Sequence, residues 1–352
     1  MTTTRKRRSG DARQGIIDAI LSTRVTSRTF SGKADVRRFL EQYFANVPFE
    51  DLTGRSEQVM ARIAVDHLDF AATRKPGQAL LRIFNPSKQE HGYDSAFTFV
   101  EMVNDDMPFL VDSVAAAINR HNLSVHITVH PIIAVRRNKL GKLRSIARPG
   151  DKNAGRESFV RFAISHESDP QELKVLRREI TRVLADVRVA VRDWSAMRER
   201  MREARDLLER GPKGADPLLR SESQALLEWL ADDCFTFLGY REYRLRKRGK
   251  RSFLENVPGT GLGVLSHDDD RRSRVELTPE MERQRTARDW LVLTKANSRS
   301  TVHRPAFLDY IGIKIYDKKG NAVGERRFIG LLTSIAYSEN PQNIPYPVSY
   351  TH

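Results

Sequence analysis

Three groups of residues have types and spacings that could do chemistry. In the first, an acidic knot, Asn104-Asp105-Asp106, is followed by Pro108 and Asp112. Either of Asp105 and Asp106 can accept free N–H groups at a helix start, and Pro108 fits a first helical turn. Such a turn suits a small polar ligand and is equally a plain cap. As neighbours on a regular backbone the two aspartates point apart, which makes a poor acid–base pair. The second group is Asn297-Ser298-Arg299-Ser300-Thr301, with His303 and Arg304 just beyond. Small polar residues beside cationic ones could hold an anion or a partner's acidic surface. A nucleophile and base can be drawn from Ser298, Ser300 and His303, but nothing fixes their geometry, and a structural hydrogen-bond role is the expectation.

The third group is Gly259-Thr260-Gly261-Leu262-Gly263. A nicotinamide cofactor needs a glycine-rich turn between a strand and a helix. Here the spacing is GxGxG, no helix follows, and Asp268 to Asp270 stand where a pyrophosphate would be unwelcome. The segment reads as an ordinary tight loop. His126 and His130 are four apart on an expected strand, roughly 13 Å, too far to share one metal. No catalytic, cofactor-binding or metal-ligating residue is therefore assigned. The candidate effector or interface residues are Asn104, Asp105, Asp106, Pro108 and Asp112, with Asn297, Ser298, Arg299, Ser300, His303 and Arg304.

The elements that must position these residues follow from periodicity. Phe97, Phe99, Val100 and Val103 form an apolar run before the knot, and Leu110, Val114, Ala117, Ile118 and His121 recur at helical spacing after it. Val125, Ile127 and Val129 then alternate with His126, Thr128 and His130, in a strand reaching Val135. A basic turn over Asn138–Gly150 leads to a strand at Ser158–Ser165. A helix starting at Pro170 carries Leu173, Leu176, Ile180, Val183 and Leu184 on one face. Val187, Val189 and Val191 alternate as a last strand would, though Val183, Val187 and Val191 also suit continued helix. With the strand, residues 95–194 form a βαββαβ, ferredoxin-like module. Upstream, residues 1–34 read as a basic flexible leader with a short helix near Gly15–Ser22, and 35–94 as a helical segment with one strand, Ala79–Phe84. Downstream, 195–232 read as a helical linker containing the Gly211-Pro212-Lys213-Gly214 break. Residues 233–340 read as a second, strand-rich module and 341–352 as a divergent tail. The fold class is α+β.

Composition narrows the function classes. The chain has 352 residues, 39% hydrophobic and 30% charged, enough for roughly two domains with buried cores. No run of about 18 apolar residues exists, so no membrane-spanning helix is expected. The basic start lacks the apolar core of a secretory signal. Cys234 is the single cysteine, which leaves no internal disulfide and fits a reducing, cytoplasmic setting. The net charge is +15. Residues 1–40 hold ten Lys/Arg against three Asp/Glu, and Arg241–Arg251 form a second cluster beside Tyr240 and Tyr243. Arg192–Arg210 is basic but interleaved with acids three or four apart, which suits a solvated helix better than a nucleic-acid groove.

Several motifs together carry a resemblance. They are NDDMPFLVDS (from Asn104) with Val129-His130-Pro131, FTFLGYREY (Phe235–Tyr243), VPGTGLGVL (Val257–Leu265), TKANSRSTVHRPAFLDYIG (Thr294–Gly312) and GERRFIGL (Gly324–Leu331). They resemble the N-terminal region of the large bacterial NAD-specific glutamate dehydrogenases, in that family's order, over roughly residues 35–345. The resemblance implies an ACT-like regulatory segment, truncated before a catalytic domain that binds NAD, with Tyr346–His352 departing from the family pattern. It implies an enzyme by family that oxidises L-glutamate to 2-oxoglutarate and ammonia. This chain would itself bind no cofactor and be inactive alone. Homo-oligomerisation through the ACT-like modules and an amino-acid effector are implied, with no membrane or nucleic-acid partner. The second module is expected to be ACT- or PAS-like. An ACT turn carries glycine where this chain has Phe109, which would block close approach of a ligand carboxylate. A packing or inter-subunit role is expected for that turn. The alternatives are a free-standing amino-acid-sensing module and a basic nucleic-acid binder.

Overall fold

The computed structural model describes residues 14–52, 56–212, 214–249, 251–266, 274–286, 289–340 and 344–345. The first residues of the basic leader, the acidic run Asp268–Asp270 and the tail Tyr346–His352 lie outside the described residues. The chain divides into two compact units, Met1–Leu184 and Ala185–His352.

The first unit is built on an antiparallel sheet of β1 (Leu80–Phe84), β2 (Thr98–Asp105), β3 (Val125–Val129), β4 (Ile132–Arg137), β5 (Leu143–Ile146) and β6 (Gly155–Ile164). The order is β1-β2-β6-β4-β5, and β3 also pairs with β6. β3 and β4 are thus one strand expected to run to Val135, broken at His130-Pro131, where proline cannot donate to the ladder. β5 lies inside the stretch read as a basic turn.

The expected last strand at Val187–Val191 is not a strand. Those residues belong to one helix, Pro170–Asp206. Spacing by four, which buries Val183 and Val187 together, outweighs the local alternation. The place beside β2 is filled from upstream, by β1, with Leu80 opposite Val103 and Phe84 opposite Phe99. The boundary placed at residue 95 therefore cuts through a strand pair.

Both faces of this sheet are covered, which is why β2 is buried at seven successive positions. On one face Val103, Ile133, Val135 and Phe159 pack with the helices Lys33–Phe44 and Glu57–Phe70 through Phe39, Tyr43, Ala64 and Leu68. The other face presents Val100, Met102, Val160 and Phe162. The helix Leu110–Arg120 and the first turns of Pro170–Asp206 have buried stripes at Val114, Ala117, Ile180 and Val183, and Glu179 ties the two together through Arg120 and His121.

Residues 14–30 are no flexible leader. Residues 14–22 are helical, Ile17 and Ile20 enter the core, and Val25 and Phe30 pack on it. The Asp69 carboxylate then accepts the N–H groups of Arg28 and Thr29 and the hydroxyl of Ser27. Partial burial alone would raise the pKa of Asp69, but these donors outweigh it and hold the pKa below its usual value.

The second unit holds β7 (Phe235–Arg248), β8 (Arg251–Asn256), β9 (Leu262–Gly263), β10 (Arg274–Glu276), β11 (Leu291–Arg299), β12 (Phe307–Tyr316) and β13 (Ala322–Leu332). Their order is β10-β8-β7-β13-β12-β11, antiparallel, with β9 on β7. The stretch expected to be a linker is part of this unit. Met197, Met201, Ala204 and Leu208 recur at helical spacing and join Leu226, Leu227, Tyr240 and Phe328 in one core. The charges between them occupy the remaining face, and that mixture hid the apolar stripe in the sequence.

Candidate functional site

The acidic turn sits where β2 leaves the sheet, and its two carboxylates are engaged by neighbouring elements. Asp105 Oδ1 accepts from Arg74 Nη2 at 2.7 Å and Oδ2 from the Gly77 N–H at 3.2 Å. Asp106 Oδ2 accepts from Arg156 Nη2 at 2.9 Å and Oδ1 from the Ser158 hydroxyl at 2.9 Å. The Ser158 oxygen lies 3.0 Å from His130 Nε2. An Asp–Ser–His chain results, but with serine in the middle. Its proton goes to Asp106 and its lone pair to the imidazole, so this hydroxyl is locked as a bridge rather than readied as a nucleophile. Burial lowers the pKa of His130, partly offset by Asp106.

The residue at the helix N-cap is Phe109, not an aspartate. Pro108 precedes the helix instead of opening it. Phe109 has φ 70°, the left-handed region that glycine favours and a bulky side chain avoids. The turn has kept the backbone shape expected of glycine while filling the position with an aromatic ring. Ser113, fully buried, donates its hydroxyl to the Phe109 carbonyl at 2.5 Å, and Asp112 is exposed on the first turn.

The second predicted group lies at the β11–β12 connection. Asn297, Ser298 and Arg299 end β11 with exposed side chains. Ser300 is buried, donating its hydroxyl to the Val302 carbonyl at 2.6 Å and accepting the Val302 N–H at 3.1 Å. Arg299 donates to the Pro305 carbonyl at 2.9 Å and lies over the Phe307 ring. Arg304 donates to the Leu332 carbonyl at 2.7 Å and lies over Tyr337. His303 takes φ 67°. Both guanidinium groups thus brace the loop against carbonyls and rings. Ser300 faces inward, its hydroxyl engaged by the Val302 backbone.

The glycine loop is closed by its own backbone. β9 pairs with β7, Gly239 opposite Gly263. The Gly263 N–H goes to Asp193 Oδ2 at 2.9 Å. The next three N–H groups, of Val264, Leu265 and Ser266, go to the carbonyls of Leu238, Leu262 and Gly263. A Cβ on Gly263 would stand 2.2 Å from the Leu238 carbonyl oxygen, and one on Gly261 would stand 2.3 Å from that of Leu265. Glycine is required here for chain-to-chain approach.

The sequence reading missed the most concentrated charge in the first unit. Arg82, Glu101 and Arg161 occupy one row across β1, β2 and β6, each opposite the next. Arg161 Nη1 reaches Glu101 at 2.6 Å and Arg82 Nε reaches it at 2.7 Å. Asp66 takes the other side of Arg82 at 2.6 Å, and the Tyr93 hydroxyl that of Arg161 at 3.0 Å. Four residues away on the same face of β6, Glu157 accepts from Arg74 and Arg137. Burial would raise the pKa of Glu101, but His67, Arg161 and Arg82 overcome it and hold it low. His67 abuts this row, fully buried, and desolvation lowers its pKa to about 4. A signal was present: each of these three strands carries a charge set directly between two apolar residues, Leu81-Arg82-Ile83, Val100-Glu101-Met102 and Val160-Arg161-Phe162.

A family model described as glutamate dehydrogenase, ACT1 domain, matches residues 39–180. The chain is 36% identical over 332 residues to a protein of Halomonas elongata named NAD-specific glutamate dehydrogenase, an alignment covering 92% of this chain and 21% of that protein. It is 33% identical over 317 residues to the protein of that name from Pseudomonas aeruginosa, covering 88% of this chain and 19% of the relative. With the Mycobacterium tuberculosis protein of the same name, identity is 24% over 282 residues, covering 79% of this chain and 16% of the relative. The chain thus spans about a fifth of the length of the curated relatives it matches.

Proposed function

The chain belongs to the NAD-specific glutamate dehydrogenase family and carries its ACT1 region, and from that premise we propose that it serves regulation and subunit assembly rather than chemistry. The whole enzyme would oxidise L-glutamate to 2-oxoglutarate and ammonia, passing hydride to NAD in amino-acid catabolism. This chain contributes no residue to that reaction and is inactive alone. We place the protein in the cytoplasm; none of the described helices is long and apolar enough to cross a membrane.

One observation supports the non-catalytic reading above others. The four consecutive N–H groups of residues 263–266 all donate within the protein, the first to a carboxylate. A phosphate-cradling loop needs such groups free and pointing together. At the end of the glycine-rich segment and just beyond it, the donors are therefore spent on folding.

The fold details fit the same reading. In the first unit, β1 occupies the edge that the last strand of a βαββαβ module would fill, so we read it as a ferredoxin-like sheet whose final strand comes from upstream. In the second, β7, β8, β11, β12 and β13 taken as strands one to five stand in the order 2-1-5-4-3, which we read as PAS-like rather than ACT-like. The second sheet ends on the edge strand β11, through which copies of the chain would pair in a homo-oligomer.

The test is a full-length relative with the region matching this chain deleted. Turnover that survives while subunit assembly or effector response changes supports the proposal. Loss of NAD binding on deletion contradicts it.

A further inference from the structure

The two units differ in the kind of space they enclose, for an open cleft of about 680 Å³ on the first is lined mainly by polar and charged side chains, Arg37, Arg38, Glu41 and Gln42 among them. In the first, the cavity beneath the charged row measures about 70 Å³, room for a few waters only. In the second, a cavity of about 550 Å³ opens between the helix Pro217–Trp229, the ends of β11 and β12, and the short helix Ser334–Ser338. That volume is in the range of small-molecule sites.

Its lining is divided. The floor is apolar, with Leu226, Trp229, Phe235 and Ile311 among its residues. One wall carries Lys295 and Asp309, directly opposite each other on β11 and β12, with Lys295 Nζ 2.5 Å from Asp309 Oδ1. Asp309 is held in place, since its Oδ2 accepts the Leu332 N–H at 3.2 Å. Its side chain is 16% exposed and that of Lys295 57%. Both retain capacity: an ammonium has three donors and a carboxylate about four acceptor sites.

A pair of opposite charges beside an apolar chamber, with Glu339 the remaining charged residue of the lining, suits a molecule with both charges on one end and an apolar body on the other. We propose that this cavity binds an apolar α-amino acid of the leucine, phenylalanine or tryptophan class. Its ammonium sits on Asp309, its carboxylate on Lys295, and its side chain among Leu226, Trp229, Phe235 and Ile311. Lysine, aspartate, ammonium and carboxylate then alternate in sign around a ring, and each charge meets two of the opposite sign. A fatty acid or apolar amine would satisfy only one of the two protein groups. The assignment rests on the regulatory reading for its purpose, though not for its chemistry.

The test is isothermal titration calorimetry on the whole chain with L-leucine, L-phenylalanine and L-tryptophan, set beside phenethylamine and 3-phenylpropionate, which each lack one charge of phenylalanine. Saturable binding is expected for at least one amino acid, and at least about tenfold weaker binding for each analogue when phenylalanine binds. Lys295→Met is expected to bring phenylalanine and phenethylamine to equal affinity, and Leu226→Trp, filling the chamber, to abolish binding. The proposal is overturned if none of the three amino acids saturates, if an analogue lacking one charge binds as tightly as phenylalanine, or if binding survives Leu226→Trp. The comparison of ligands on the unaltered chain stands whether or not a variant folds. A chain that does not bind removes the ligand and leaves the regulatory reading. Binding without influence on turnover of the full-length enzyme removes the regulatory reading and leaves the site.

Discussion

Glu101 and Arg161 face each other across adjacent antiparallel strands with carboxylate and guanidinium 2.6 Å apart, and neither side chain is more than 5% exposed. Arg82 completes the row from the other side of Glu101. The carboxylate thus lies between two cations; on its loss Arg82 keeps Asp66, whereas the buried Arg161 keeps only the neutral Tyr93 hydroxyl. Glu101→Ala is expected to cost about 3–5 kcal/mol of unfolding free energy in urea titration. Replacing Glu101 and Arg161 together with apolar residues of similar volume is expected to cost far less, because Arg82 keeps Asp66 and no uncompensated buried charge remains. A double variant as unstable as Glu101→Ala would show that the row matters through shape instead of charge.

His67 gives the first unit a pH dependence on its acid side. Its pKa in the folded protein is about 4, below the ordinary value near 6.5. The unfolded chain therefore binds more protons between these two values, so stability is full above pH ~6.5 and falls as pH drops toward ~4. The His67 contribution to that loss is about 3 kcal/mol at most. His67→Phe removes the Tyr43 hydrogen-bond partner and lowers stability at neutral pH. It also flattens the curve in that window, which thermal unfolding across pH 4–7 measures. An unchanged slope would remove His67 as its source.

The left-handed backbone at Phe109 sets an order among substitutions. Phe109→Gly releases conformational strain of about 1 kcal/mol or more, offsetting the lost ring contacts. Phe109→Val keeps the strain, adds a β-branch and also loses the ring. Denaturation midpoints are expected to place the glycine variant above the valine variant. The reverse order would mean that packing of the residue, and not its backbone, governs the turn.

How much of this was legible in the sequence depends on the range of the interactions. The helix start at Pro170 and the tight glycine loop follow from local chemistry, and they lie near where the residues place them. The Val187–Val191 stretch allowed two periods, and only the burial of Val183 and Val187 on one helical face decides between them. The Arg82–Glu101–Arg161 row was harder. Its members are separated by 19 and 60 residues and meet only once strand order and register are known. The Lys295–Asp309 pair beside its cavity was hidden likewise, since a cavity belongs to packing and has no local pattern. Asp105 and Asp106 are held by Arg74, Gly77, Arg156 and Ser158, groups that periodicity does not place beside them.

Close backbone approach, not ligand contact, explains the glycines of the 259–263 loop. Gly263→Ala would put a methyl group 2.2 Å from the Leu238 carbonyl oxygen at φ 59°. It is expected to destabilise the second unit by about 2 kcal/mol or more. Asp193→Ala, which strands the Gly263 N–H, is expected to cost about 1–3 kcal/mol. Both are read by thermal unfolding. A Gly263→Ala chain of unaltered stability would return this loop to the list of sites for a phosphate.

The purified 352-residue chain, supplied with NAD and L-glutamate, tests the central claim most directly. The donors of residues 263–266 are already taken, so no saturable heat of NAD binding and no growth of NADH absorbance are expected. Glutamate-dependent NADH formation by this chain would contradict the account.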